Sequence, residues 1–143
     1  MRMAYDRNNI FARILRGEIP AFKVYEDAHT LAFMDAMPQS DGHTLVVPKF
    51  EAENLFDLPV EPLQALIGTT QRIAAAARQA FKADGITLMQ FNGEAAGQTV
   101  FHIHFHIVPR YANKPLHAHG RGMADKEVLA RHAEQLRQAL ASG

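Results

Sequence analysis

The chain contains no cysteine, which excludes a disulfide framework and any metal site built on thiolates. It also lacks net charge: 15 lysines and arginines balance 15 aspartates and glutamates. The broad basic field with which a protein grips long nucleic acids is therefore missing, although one nucleotide held in a pocket needs no such field. No apolar run approaches bilayer-spanning length, and the opening segment Met1 to Asp6 lacks the apolar core of a secretory signal. A membrane role is not expected, and the cytoplasm is the expected location. What is present is 143 residues, 48% hydrophobic and 21% charged, ordinary for one globular domain with its own core. No internal repeat or linker divides it. A single domain over 1–143 is expected, with its core about 8–111 and a C-terminal loop and helix over 112–143.

The most informative stretch is Phe101 to Arg110. His102, His104 and His106 occupy alternate positions, separated by Ile103 and Phe105 and followed by Ile107 and Val108. A strand sends alternate side chains to opposite faces, so a strand over 101–110 carries three imidazoles on one face and an apolar ladder on the other. A helix would scatter histidines through its apolar stripe. Each ring brings a donor and an acceptor that need partners when buried, so three aligned rings point to a metal site or a catalytic surface rather than to packing.

Before this strand, about Asp6 to Gly17 reads as a short helix capped by Asn8 or Asn9, with Ile10, Phe11, Ile14 and Leu15 as its stripe. Strands follow at Lys23 to Tyr25 and Leu31 to Met34, joined by a hairpin turn over Glu26 to His29. Gly42 to Lys49 suits a central strand ending at Pro48, with His43, Leu45 and Val47 on one face. Val60 to Lys82 reads as the long helix, packing through Leu63, Leu66, Ile67, Ala74, Ala77 and Phe81. A strand over Ile86 to Phe91 leads into the loop Asn92 to Thr99, whose Gly93 and Gly97 permit backbone amides to turn inward toward anionic oxygens. Beyond Arg110, Tyr111 to Met123 reads as a mobile surface loop carrying His117 and His119. A final amphipathic helix covers about Asp125 to Ala141, with His132 close to its apolar stripe.

Two chemistries suit the aligned histidines. Alternate imidazoles on a strand can converge on one metal ion, but only Glu94 in the adjoining loop offers a supporting carboxylate. Alternatively, one imidazole nitrogen attacks phosphorus and forms a phosphoramidate that water then opens. Neighbouring rings would orient it and stabilise phosphoryl oxygens, and histidine is substantially neutral near pH 7.

His102 to Val108, read as His, apolar, His, apolar, His and two apolar residues, resembles the signature of the histidine triad (HIT) family. Ile10-Phe11, Val24 to Asp27, Leu31 to Asp35, Gly42 to Lys49 and Asn92 to Thr99 resemble successive motifs of that family in the same order, most like its bacterial Hit/Hint-like members. The resemblance implies an α+β fold, an antiparallel sheet with the long helix and the C-terminal helix packed on it, and a homodimer with a joined sheet. It implies cleavage at the α-phosphate of a purine nucleoside phosphoramidate or dinucleoside polyphosphate, with release of a nucleoside monophosphate. His104 would be the nucleophile, His106 a contact to the α-phosphate, His102 the residue that orients the nucleophile, and His43 the fourth member of the cluster. Asp35 would accept a ribose hydroxyl. Phe11, Ile14, Phe33 and Leu45 would line the base pocket, and Asn92, Gln98 and Thr99 would contact phosphate or assist the leaving group. Some bacterial members hold structural zinc with a Cys-x-x-Cys pair and histidines. Here those cysteine positions correspond to Asn9 and Ala12, and a third ligand position to Glu51, so no metal and no cofactor are expected. A nucleotidyltransferase, or a purine-nucleotide-binding interaction module with incidental activity, is the alternative to a hydrolase.

Overall fold

The structure is a computed structural model that describes residues 4–116 and 122–143. Its elements are, in chain order, α1 (Ile10–Leu15), β1 (Lys23–Glu26), β2 (Thr30–Met34), β3 (Thr44–Pro48), α2 (Val60–Ala80), β4 (Gly85–Met89), β5 (Phe105–Arg110) and α3 (Lys126–Ser142). The strands form one sheet in the order β1-β2-β3-β5-β4, every neighbouring pair antiparallel. The expected α+β fold is the one found. The expected surface loop falls in part on residues 117–121, with His117 and His119, which lie outside the described residues. Among the described residues no helix is long and apolar enough to cross a membrane.

Strand alternation divides the interior into two cores. Ala32 and Met34 of β2, Val46 of β3, and Ile103 and Ile107 pack with Leu66, Ile73 and Ala77 of α2 and with Leu129, Ala133 and Leu136 of α3. The opposite parity sends Leu31, Phe33, Leu45 and Val47 to the other face, where Phe11 and Ile14 of α1 cover them. With both faces covered, β2 and β3 are buried at every position, and β3 is central, as its composition leads one to expect. The chain passes from β3 to β4 through α2, which leaves room between them for β5.

Local chemistry fixes the connections. At the β1–β2 turn, Asp27 Oδ1 accepts the amides of His29 and Thr30 at 2.8 and 2.7 Å, and Oδ2 accepts the Tyr25 hydroxyl at 2.8 Å. Burial raises the Asp27 pKa, but these donors outweigh it and hold the carboxyl at about 2. The buried hydroxyls of Thr30 and Thr69 meet at 2.8 Å and tie β2 to α2. His132, close to the apolar stripe of α3, packs its ring edgewise on Phe81 with centroids 5.5 Å apart.

Several boundaries differ from the sequence expectation. α1 begins at Ile10, because Asn9 caps it by accepting the Ala12 amide, and residues 6–9 form a preceding turn. Ile10 points outward and is 46% exposed; Ile67 of α2 is 44% exposed, so neither belongs to the core stripe. β4 stops at Met89 and leaves Phe91 outside the ladder. The main correction concerns the histidine strand, which enters the sheet only at Phe105. β3 pairs with it at Val46↔Phe105 and then reaches Pro48, which has no amide hydrogen to give. Residues 102–104 run on unpaired with the ladder, and the Ile103 amide donates to Ala52 O at 2.9 Å instead.

Gly42, at the entrance to β3, has φ of +88°, and a Cβ there would lie 2.5 Å from Cδ2 of Phe81. Gly42→Ala combines left-handed strain with overpacking, so a loss of about 2–4 kcal/mol is expected in urea denaturation; a change below about 0.5 kcal/mol, the range of neutral surface substitutions, would contradict this account of the β3 entrance.

Candidate active site

Four histidines stand on the face of the sheet opposite α2, and their ring nitrogens form two chains of hydrogen bonds. His106 lies in the ladder between Leu45 of β3 and Met89 of β4. His43 sits just before β3 and is fully buried. Its Nδ1 accepts the Gln39 amide at 3.0 Å, so in the neutral ring the proton is on Nε2, which lies 3.0 Å from His106 Nδ1. His106 Nδ1 is then an acceptor, and the His106 proton sits on Nε2. Asp35, buried at the end of β2, accepts the Met37 amide at 2.8 Å through Oδ1 and places Oδ2 3.4 Å from His43 Nε2.

The second chain runs through His104 and His102. His104 Nδ1 donates to the backbone carbonyl of His102 at 2.7 Å, because a carbonyl can only accept. The lone pair of the neutral His104 ring is thereby assigned to Nε2. His102 itself is fully buried; its Nε2 donates to Pro48 O at 2.8 Å and its Nδ1 meets the Tyr5 hydroxyl. Burial pushes the His102 pKa below its ordinary value, against the Pro48 carbonyl and the charge of Glu51, which favour the protonated ring.

A cleft of about 190 Å³ opens beside these rings, lined by Gln39, Met89, Phe91, Gly97, Thr99, His104 and His106. Phe11 stands edge-on to His104 with centroids 4.7 Å apart, and Phe91 lies 5.5 Å from His106. The volume is below the 300–1,000 Å³ typical of sites that engulf a small ligand. It accommodates a phosphate and its immediate substituents.

The structure brings together His43, His102, His104, His106 and Asp35, and it places Thr99 on the cleft. Phe11, Ile14, Phe33 and Leu45 gather in one buried cluster next to His104; the open apolar wall of the cleft is formed instead by Met89 and Phe91. Asn92 and Gln98 are not brought to the cleft. Asn92 Oδ1 accepts the Leu55 amide at 2.8 Å, and Gln98 bridges the Gly93 amide to the Glu53 and Val100 carbonyls. The expectation of inward-facing loop amides is corrected for Gly93, Ala96, Gly97 and Gln98. A 3₁₀ turn at Glu94–Ala96 directs the Ala96 and Gln98 amides to Gly93 O and the Gly97 amide to Glu94 O, so these donors are used within the loop. Gln39, Met89, Phe91 and Tyr5 were missed. The pairing of His43 with a ring on β5 was the one signal available for a donor at Gln39; nothing local marks the others.

The aligned rings do not converge on a single ion. Both nitrogens of His102 and one of His104 are committed to protein partners. Among the described residues, ligand-type atoms of Asp35, His43 and His106 lie within 4.8 Å of one another, but His43 and His106 share a proton at hydrogen-bond distance, which a cation would have to displace. The positions of a family zinc site do not fit one either: Asn9 caps α1, Ala12 is buried, and Glu51 pairs with Arg7 at 3.2 Å.

A HIT domain matches residues 16–113. Protein hit of Bacillus subtilis is 42% identical over 127 residues, 89% of this chain and 82% of the relative. Adenosine 5′-monophosphoramidase of Saccharomyces cerevisiae is 38% identical over 109 residues, 76% of this chain and 66% of the relative. The crystal structure of a Hit-like protein from Bartonella henselae superposes with a TM-score of 0.89 at 50% identity, covering 95% of this chain and 99% of the other.

Two buried histidines with depressed pKa values make stability depend on pH. Burial lowers the pKa of His132, with Arg131 acting in the same direction and Asp41 against it, as burial lowers that of His102. The unfolded chain therefore binds protons first, near about 6.5. Stability is full above that pH and declines as pH falls toward the folded-state values. Urea midpoints should drop between pH 7 and pH 5, and His132→Gln and His102→Gln should each flatten the decline; an unchanged slope in both variants would refute the assignment.

Proposed function

The chain belongs to the histidine triad family, and from that premise we propose that it is a nucleotidyl hydrolase acting at the α-phosphate of purine nucleoside phosphoramidates or dinucleoside polyphosphates. The observation that carries this reading is the hydrogen bond from His104 Nδ1 to the His102 carbonyl. It assigns the ring's lone pair to Nε2 on a side chain that lines the cleft, which is the state a nucleophilic imidazole requires. The yeast relative named as an adenosine 5′-monophosphoramidase supports the choice of a phosphoramidate.

In the first step Nε2 of His104 forms a bond to the α-phosphorus while the bond to the leaving nitrogen or oxygen breaks. The leaving group departs with a proton taken from solvent, and the nucleotide is held as a phosphoramidate on His104. In the second step water attacks the same phosphorus and gives a proton back to solvent, the P–Nε2 bond breaks, and a nucleoside monophosphate is released. His106, whose Nδ1 accepts from His43, presents an Nε2–H to phosphoryl oxygens, where it is worth most as charge develops. Asp35 beside His43 favours the proton that His43 gives to His106, and it retains the ribose-hydroxyl role as part of this proposal. Met89 and Phe91 provide the open apolar wall for the purine, and the buried cluster of Phe11, Ile14, Phe33 and Leu45 backs it from behind His104. Asn92 and Gln98 act on the site by bracing the loop that carries Thr99. The reading extends to a cytoplasmic homodimer joined at β4, an outer strand of the sheet whose Leu88 is exposed.

AMP release from adenosine 5′-phosphoramidate and from diadenosine polyphosphates tests the proposal, for the wild type and His104→Ala, with and without a chelator. Release that resists the chelator and falls by about a thousandfold or more in the variant is expected. Chelator-sensitive release would replace the covalent mechanism with a metal-dependent one. Tight AMP binding without turnover of any substrate would make the chain a nucleotide-binding module.

A further inference from the structure

The N-terminal segment before α1 reaches the triad at one point. The Tyr5 hydroxyl lies 2.5 Å from Nδ1 of His102, a residue 97 positions away in sequence, and the two rings meet edge to face with centroids 5.7 Å apart. His102 is fully buried, so both its nitrogens need partners. Since Nε2 donates to the Pro48 carbonyl at 2.8 Å, Nδ1 of the neutral ring can only accept, and the one suitable donor is a hydroxyl such as that of Tyr5. Burial lowers the His102 pKa; burial also raises that of Tyr5, helped by Glu51 and Asp6 and opposed by Asn9 and Arg16. The hydrogen bond is therefore between two neutral groups with a single proton placement. Tyr5 is presented by a tied turn: the Asn9 side chain donates to Asp6 O at 2.7 Å, and Arg16 Nη1 donates to Arg7 O at 2.7 Å.

We propose that Tyr5 is a positioning residue for the nucleophile, pinning the His102 ring so that the His102 carbonyl stays where it orients His104. The inference rests on the reading of His104 as nucleophile. The chain of contacts is Tyr5 hydroxyl to His102 Nδ1, His102 Nε2 to Pro48, and His102 carbonyl to His104 Nδ1. The ring is thus anchored on both sides of the peptide that fixes the tautomer of His104. Tyr5→Phe keeps the edge-to-face contact and removes only the donor, leaving a buried acceptor unsatisfied.

Long-range ¹⁵N–¹H NMR of the imidazoles, read together with steady-state kinetics, tests the proposal. In the wild type His102 should carry its proton on Nε2 and His104 on Nδ1. In Tyr5→Phe, at a temperature where circular dichroism shows the variant fully folded, His102 should lose its single tautomer and the Nδ1–H population of His104 should fall. Its kcat should drop about tenfold or more while KM stays within about twofold, since a small misplacement of a reacting group costs rate rather than affinity. A folded variant with both tautomers and kcat unchanged overturns the proposal, whether or not its Tm is lowered. If the wild type turns nothing over, the hydrolase reading fails, while unchanged tautomers in Tyr5→Phe would still reject the hold of Tyr5 on His102.

Discussion

A backbone carbonyl that belongs to no ladder holds the site together. His104 donates Nδ1–H to the carbonyl of the residue two places before it, and residues 102–104 stand outside the ladder, which β5 joins only at Phe105. Alternation along the register sends the backbone groups of Phe105, and with them those of Ile103, toward β3, so Pro48, which has no amide hydrogen, ends the pairing there. The His102 carbonyl has the opposite parity and lies on the side of β4, which stops at Met89 opposite His106. Pro48 thus ends one pairing and, through its own carbonyl, holds the His102 ring.

The four histidines are not equivalent, and their differences follow from which atoms face them. His43 and His102 are fully buried, and the Gln39 amide, the Pro48 carbonyl and the Tyr5 hydroxyl fix their proton positions. His104 and His106 line the cleft, and their protons are placed by those two. One pair prepares an Nε2 lone pair and the other prepares an Nε2–H, so an acceptor ring and a donor ring stand side by side with centroids 4.9 Å apart. Buried polar networks stabilise only when every member is satisfied. Here satisfaction comes largely from the backbone, from Gln39, Pro48 and His102, which holds the arrangement to the fold more firmly than a set of side chains alone.

Much of this was legible in the sequence because strand alternation is a local signal. The alternation of His102, His104 and His106 with Ile103, Phe105 and Ile107 correctly assigns the two faces, and Leu45 and Val47 lie with His43 on the expected side. The extent of the strand was not legible, since it depends on where β3, far away in sequence, runs out of donors. Neither were the cleft walls. Met89 and Phe91 look like the end of a strand until the sheet order places β4 beside β5. The glycines at 93 and 97 correctly mark a turned loop, but their pattern does not say that Gln98 and the loop carbonyls would use the amides. Tyr5 carries no local pattern at all, and its contact exists only once the segment before α1 is folded back over the triad.

The proposed hydrolysis depends on a covalent bond between His104 Nε2 and the nucleotide. The most direct measurement is rapid acid-free quenching of the enzyme during turnover of adenosine 5′-phosphoramidate, followed by intact-mass analysis and peptide mapping. The expected result is a transient adduct of one adenylyl group on His104, formed and lost at rates that match turnover. An enzyme that turns over while unmodified, or that carries the adduct on His43 or His106, would contradict it.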